Sequence, residues 1–75
     1  GTRAAARDRR TVQLLLRSTP VGAIAAVDGV RLGPTPVLWD GEAAVPHEFT
    51  FVLAGHALAR YRFAPITGGV VPAGW

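Results

Sequence analysis

The chain contains no cysteine and no lysine. Without thiols there is neither a disulfide framework nor a thiolate metal site, and the compartment is left open. All eight basic side chains are arginines, and together with abundant alanine and glycine this composition points to a high-GC bacterial source. Long hydrophobic runs are missing as well. The apolar fraction is 49%, yet no stretch approaches the ~20 residues that cross a bilayer, and the opening lacks a signal-peptide pattern. The expected molecule is a soluble piece, excised from something longer. At 75 residues it has room for one domain, which buries about 60% of its unfolded surface around a small core.

Acidic residues are few, and the net charge of +3 with a pI near 11.2 raises the question of nucleic acid. The excess is local. Arg3, Arg7, Arg9 and Arg10 against Asp8 leave +3 in the first ten residues, whereas Arg17, Arg31, Arg60 and Arg62 balance Asp28, Asp40, Glu42 and Glu48. So small a cluster would hold nucleic acid or an anionic membrane weakly and lose it with salt. Residues 1–10 carry no cap and no apolar stripe to dock, so they are expected to form a basic flexible linker.

From Thr11 the hydrophobic period is two. Val12, Leu14 and Leu16 share one face, while Gln13, Leu15 and Arg17 share the other. Ser18, Thr19 and Pro20 end that strand. Ala23, Ala25 and Val27 then face inward, and Asp28-Gly29 is expected to form a type I′ turn that sets Val27 opposite Val30, Ala26 opposite Arg31 and Ala25 opposite Leu32. Gly33 to Pro36 stop the returning strand. The next is expected over Thr35 to Trp39, with Val37 and Trp39 on one side and Leu38 on the other, closed by Asp40 and Gly41. After a loop from Glu42 to Pro46, Phe49, Phe51 and Leu53 alternate with Glu48, Thr50 and Val52. Ala57, Ala59, Tyr61 and Phe63 alternate likewise with Leu58, Arg60 and Arg62. Keeping both inward sets on one face requires a three-residue connection centred on Gly55, which places Phe49 opposite Tyr61, Glu48 opposite Arg62 and Val52 opposite Leu58. Val70 and Val71 suggest a last strand, and Pro72 argues for a sheet edge.

The punctuation of the first half has a pattern of its own: Ser18, Pro20, Gly22, Ala23, then Asp28, Gly29, then Gly33, Thr35, Pro36. These residues in this order resemble the core of a PEGA domain, whose usual pattern is Ser-x-Pro-x-Gly-Ala, a short strand, Asp-Gly, then Gly-x-Thr-Pro. The namesake glutamate is Val21 here, and the Gly-Tyr that commonly follows a later strand is Gly55-His56. The dense motif covers about a third of the chain, and weaker matches reach Phe63. The resemblance implies a small prealbumin-like sandwich and brings no catalytic residues. It also implies a module of larger bacterial proteins, often outside the cytoplasm, as in the outer regions of membrane Ser/Thr kinases and in surface proteins.

Chemistry-bearing residues are thin. Ser18 with His47 or His56 and Asp28 spells a triad only on paper, since Ser18 sits at a strand exit and Asp28 in a hairpin turn. His47 and His56 lack a third ligand nearby, and the carboxylates are dispersed, so no metal and no acid–base pair is expected. Trp39 and Trp75 could stack on sugars, but parity sends Trp39 to the core and Trp75 is terminal.

The sequence is therefore expected to encode an all-β fold, a small antiparallel β-sandwich of about six to seven short strands. The basic linker 1–10 would precede a PEGA-like domain over 11–73, with 74–75 as a tail. The expected function is non-catalytic and cofactor-free: an extracytoplasmic interaction or ligand-sensing module of a bacterial envelope protein, a passive spacer in a surface protein being the alternative and an anion-binding tail a weaker one. The expected partner is a protein or envelope component, nucleic acid is not expected, and the module itself should be monomeric or weakly self-associating. Val12, Leu14, Leu16, Ala23, Ala25, Val27, Val37, Phe49, Phe51, Leu53, Tyr61 and Phe63 fill the expected core. Leu15, Ile24, Leu38, Val52 and Leu58 are left pointing outward as the candidate interaction face.

Overall fold

A computed structural model describes residues 10–75. Reading the tail as a flexible linker therefore concerns residues that lie, Arg10 apart, outside the described ones. Seven strands follow one another: β1 (Thr11–Thr19), β2 (Ile24–Val27), β3 (Val30–Pro34), β4 (Val37–Glu42), β5 (His47–Val52), β6 (Ala59–Phe63) and β7 (Gly69–Gly74). They form two sheets, ordered β4-β1-β7 and β3-β2-β5-β6. The fold is all-β, with the inward alternation of both sheets meeting in one core, as the sequence predicts. The three-stranded sheet is mixed, because β7 runs parallel to β1. Its edge position is the one that suits Pro72, which has no N–H to give to a second neighbour.

The core is small and dense. Leu16, Ala23, Ala25, Phe49 and Phe51 are fully buried, and Leu14, Val27, Val71 and Ala73 nearly so. Alanines at the centre leave room for the two phenylalanines of β5, which dominate the apolar volume. Trp39 lies edge-on to Phe49 at 5.2 Å, and Phe49 stacks on Phe63 at 5.0 Å. Val37, Leu53 and Tyr61 pack against this cluster while only partly buried. Phe63, expected inside, is 40% exposed, because β6 is an edge strand and covers Phe49 from the rim. Val71 and Ala73 enter the core from the other sheet.

Local chemistry explains most strand ends. Asp28 and Gly29 both have positive φ, 51° and 81°, as a type I′ turn demands, and Val27 stands opposite Val30 with Ala26 opposite Arg31. The ladder then slips: Ala25 pairs with Gly33, not Leu32. Leu32 is the extra residue of a β-bulge, and Gly33, at φ 129°, takes a conformation that L side chains rarely adopt. The bulge lets β3 run on to Pro34, where the sequence suggested a stop. Since nothing lies within 4 Å of a Cβ added at Gly29, a substitution there costs backbone strain alone. Gly29→Val should destabilise by roughly 1 to 3 kcal/mol in denaturant unfolding. Unchanged stability would mean the hairpin turns in some other way.

Three further boundaries differ from the expectation. Asp40 and Gly41 do not close β4, which continues to Glu42 because β1 pairs with it along its whole length, from Thr11↔Glu42 to Leu16↔Val37. Gly41 sits opposite Val12, and the Trp39 indole lies over it where a Cβ would be. The β5–β6 connection is longer than three residues. The register is as expected, with Phe49↔Tyr61 and Glu48↔Arg62, but the ladder ends at Phe51↔Ala59. The Leu53 carbonyl accepts from the His56 amide at 3.0 Å, and the Ala57 carbonyl accepts the Trp75 indole N–H. Both groups are thereby withdrawn from the ladder. Gly74 belongs to β7, and Trp75 meets His56 edge-on at 5.3 Å, so the last two residues are tied to the domain and do not trail from it.

Candidate functional site

Eight of the nine residues of the motif fall into two groups, and the ninth, Gly33, serves the β3 bulge. Ser18 and Thr35 are buried, and their hydroxyl oxygens lie 2.5 Å apart. Ser18 Oγ is 2.7 Å from the Pro20 carbonyl, which can only accept, so the Ser18 proton goes there. Thr35 must then donate to Ser18, while its own oxygen accepts the Gly22 N–H at 3.0 Å. The Thr35 amide in turn donates to the Ala23 carbonyl at 2.8 Å. One directed chain of hydrogen bonds thus joins the end of β1, the turn into β2 and the β3–β4 link. Thr19–Pro20 and Thr35–Pro36, which flank it, are both cis. Among the described residues no buried side-chain polar atom lacks a partner.

The second group is the Asp28-Gly29 turn. Asp28 and Glu48 exchange backbone and side-chain bonds, with the Asp28 amide to the Glu48 carbonyl at 2.8 Å and the Glu48 amide to Asp28 Oδ1 at 2.9 Å. His47 Nδ1 lies 2.6 Å from Asp28 Oδ2 and its Nε2 lies 2.8 Å from the Glu42 carbonyl. Both ring nitrogens face acceptors, an arrangement that suits the imidazolium. Burial works against the charged ring, but the hydrogen bonds to Asp28 and the Glu42 carbonyl outweigh it and raise the His47 pKa above 6.5. The hydrogen bond from His47, helped by the Glu48 amide, lowers the Asp28 pKa below 3.8. His47 and Asp28 are the only members of the paper triad that meet. The Ser18 hydroxyl is engaged with Thr35 and Pro20.

This clasp predicts a pH dependence. The folded state holds the His47 proton more tightly than the unfolded chain, so that contribution is complete below about pH 6.5 and is lost as pH rises through the raised value. Asp28 acts in the opposite sense: its contribution is present above about pH 4 and is lost as pH falls through the lowered value. Between about pH 6 and pH 8 the denaturant midpoint should fall in the parent and much less in His47→Gln. A parent midpoint that rises over this interval would mean that His47 is neutral in the fold.

The five outward aliphatics do not form one face. Val52 stands opposite Ile24 on the outside of the four-stranded sheet, with Pro34 beyond Ile24 on β3. Leu58 lies just before β6, outside the ladder and half exposed. Leu15 and Leu38 stand opposite each other on the outside of the three-stranded sheet, on the far side of the sandwich, with Val70 on the other flank of Leu15. Leu38 and Val52 are each 56% exposed. The split follows from β1 and β4 joining β7, a pairing across more than fifty residues of chain that no local alternation encodes.

Next to Val52 and Ile24 the outer face of the four-stranded sheet becomes basic. Arg31, Ala26, Thr50 and Arg60 form one rung across all four strands, and Glu48 and Arg62 stand opposite each other on the next. The Glu48 carboxylate meets Arg60 Nε at 3.5 Å, so the ion pair is diagonal and not the direct Glu48–Arg62 pair expected from register. The aromatic contacts are diagonal too, Phe49 with Phe63 and Phe51 with Tyr61, where a direct Phe49–Tyr61 contact was expected. Among the described residues there is no pocket and no group of three side chains that could hold a metal. No helix among them is long and apolar enough to cross a membrane. The chain matches no protein-family model, no curated protein and no solved structure.

Proposed function

We propose that this is a non-catalytic interaction module of the PEGA type that works by contact of the outer face of its four-stranded sheet with another protein. The observation that carries the reading is a division of labour. The motif residues are consumed by the fold, in the Ser18–Thr35 chain and the Asp28 turn, whereas an exposed Val52 and a half-buried Ile24 stand side by side with Arg31, Arg60 and Arg62 on the same face. A partner fitted to such a face offers apolar side chains bordered by carboxylates. Placement outside the cytoplasm, in a bacterial envelope protein such as the outer region of a membrane Ser/Thr kinase, rests on the sequence resemblance alone.

The experiment is Val52→Glu combined with Leu58→Lys, both positions being exposed and free of core contacts. The expected result is a folded module, by circular dichroism, whose capture of an envelope partner drops at least about tenfold and whose parent binding weakens with salt. Equal capture by parent and double variant, or binding indifferent to salt, would leave this face inert and favour the spacer.

A further inference from the structure

The opposite side of the sandwich carries a pattern that matches itself. On the outer face of the three-stranded sheet, Leu38, Leu15 and Val70 form one apolar row across β4, β1 and β7. Leu38 and Val70 are 56% and 51% exposed. Two residues along β1 in one direction lies the rung of Gln13 and Asp40, and two residues in the other lies Arg17. Asp40 and Arg17 thus stand at equal distances, about 7 Å along the strand, on either side of the row. Both are exposed, and among the described residues neither has an ion-pair partner.

A twofold axis laid along the row, in the plane between two such faces, has a definite consequence. It places row upon row and exchanges the two flanks, so Arg17 of each copy comes over the rung of Gln13 and Asp40 of the other, one strand spacing of about 5 Å from Asp40. Stacked sheets sit about 10 Å apart, a gap that an arginine and an aspartate side chain bridge from opposite sides. A partner of unrelated sequence would have to supply this arrangement of opposite charges at matched offsets; a second copy supplies it by symmetry. We propose that the chain self-associates as a twofold dimer through this face, with the Leu38, Leu15 and Val70 row at its centre and reciprocal Arg17–Asp40 pairs at its margins. The face is only three strands wide, less than the ~800 Å² per partner of a stable interface, so the dimer is weak and forms at high local concentration. This inference concerns the face opposite the proposed partner surface and stands apart from that reading.

Sedimentation of the chain from about 0.05 to 1 mM tests it. The parent should move from monomer toward twice the monomer mass. Arg17→Asp alone and Asp40→Arg alone each set like charges against one another twice in a homodimer, and each should weaken association by about tenfold or more. In a one-to-one mixture of the two variants, a copy acidic at both positions meets a copy basic at both. Opposite charges then face each other at both margins, and the dimer should return as a heterodimer. Val52→Glu with Leu58→Lys should associate like the parent, which separates failure of this proposal from failure of the partner reading. A parent that stays monomeric up to about 1 mM overturns the dimer without any variant being needed. Single variants that associate like the parent, a mixture no better than its components, or association abolished by the Val52 and Leu58 changes would each overturn it as well.

Discussion

Phe49→Ala should leave the domain largely unfolded at 25 °C. The ring is fully buried, is met edge-on by Trp39 of β4 and by His47 at the start of β5, and is stacked by Phe63 of β6, so it links both sheets. Removing a buried phenylalanine costs about 3 to 5 kcal/mol, made of lost burial and of the cavity left behind. The surrounding alanines cannot expand to fill that space. A single core in a domain of this size rarely provides more than ~3–5 kcal/mol of stability, so the loss is comparable to the whole. Near-ultraviolet circular dichroism and dispersed amide resonances should disappear. A cooperative transition with a loss below about 1.5 kcal/mol would mean that the ring lies outside the core.

The second large effect concerns the Ser18–Thr35 chain. Thr35→Val keeps the shape but removes the hydroxyl that donates to Ser18 and accepts from the Gly22 amide. Ser18→Ala leaves the Thr35 proton without its acceptor in a buried site. Each change should cost roughly 1 to 3 kcal/mol, since it leaves partners unsatisfied out of water. The double replacement should cost clearly less than the sum, by about 0.5 kcal/mol or more, because it removes both orphaned groups together. Urea denaturation of the four proteins measures this. Strict additivity would mean that the two hydroxyls do not depend on each other.

Much of the fold is legible in the sequence because it is local. The period-two alternation of β1, β2 and β5 marks the inward residues, Asp28-Gly29 marks a type I′ turn, and Pro72 marks an edge. What was hidden is of three kinds. The bulge at Leu32 and the continuation of β4 through Asp40 and Gly41 depend on which strand lies alongside, and a turn-forming pair keeps its extended alternative when a neighbour completes the ladder. The His47–Asp28 bond joins residues nineteen apart, and no spacing rule reveals it. The division of the outward aliphatics between two opposite faces depends on sheet membership, which alternation leaves undetermined. Val70 could have been added to the outward set, since Val70 and Val71 must point to opposite sides in any strand.

The central claim is that the motif serves the scaffold and leaves function to the outer faces. Amide hydrogen exchange at Gly22 and Thr35 tests it most directly. Both amides lie between strands, where exchange is ordinarily fast, yet Gly22 donates to the Thr35 hydroxyl and Thr35 donates to the Ala23 carbonyl. If these bonds hold the fold together, the two protons should exchange as slowly as those of Leu16 and Phe49 in the core strands, by global unfolding. Exchange at the rate of an open loop would contradict the account and return the motif to the candidates for ligand contact.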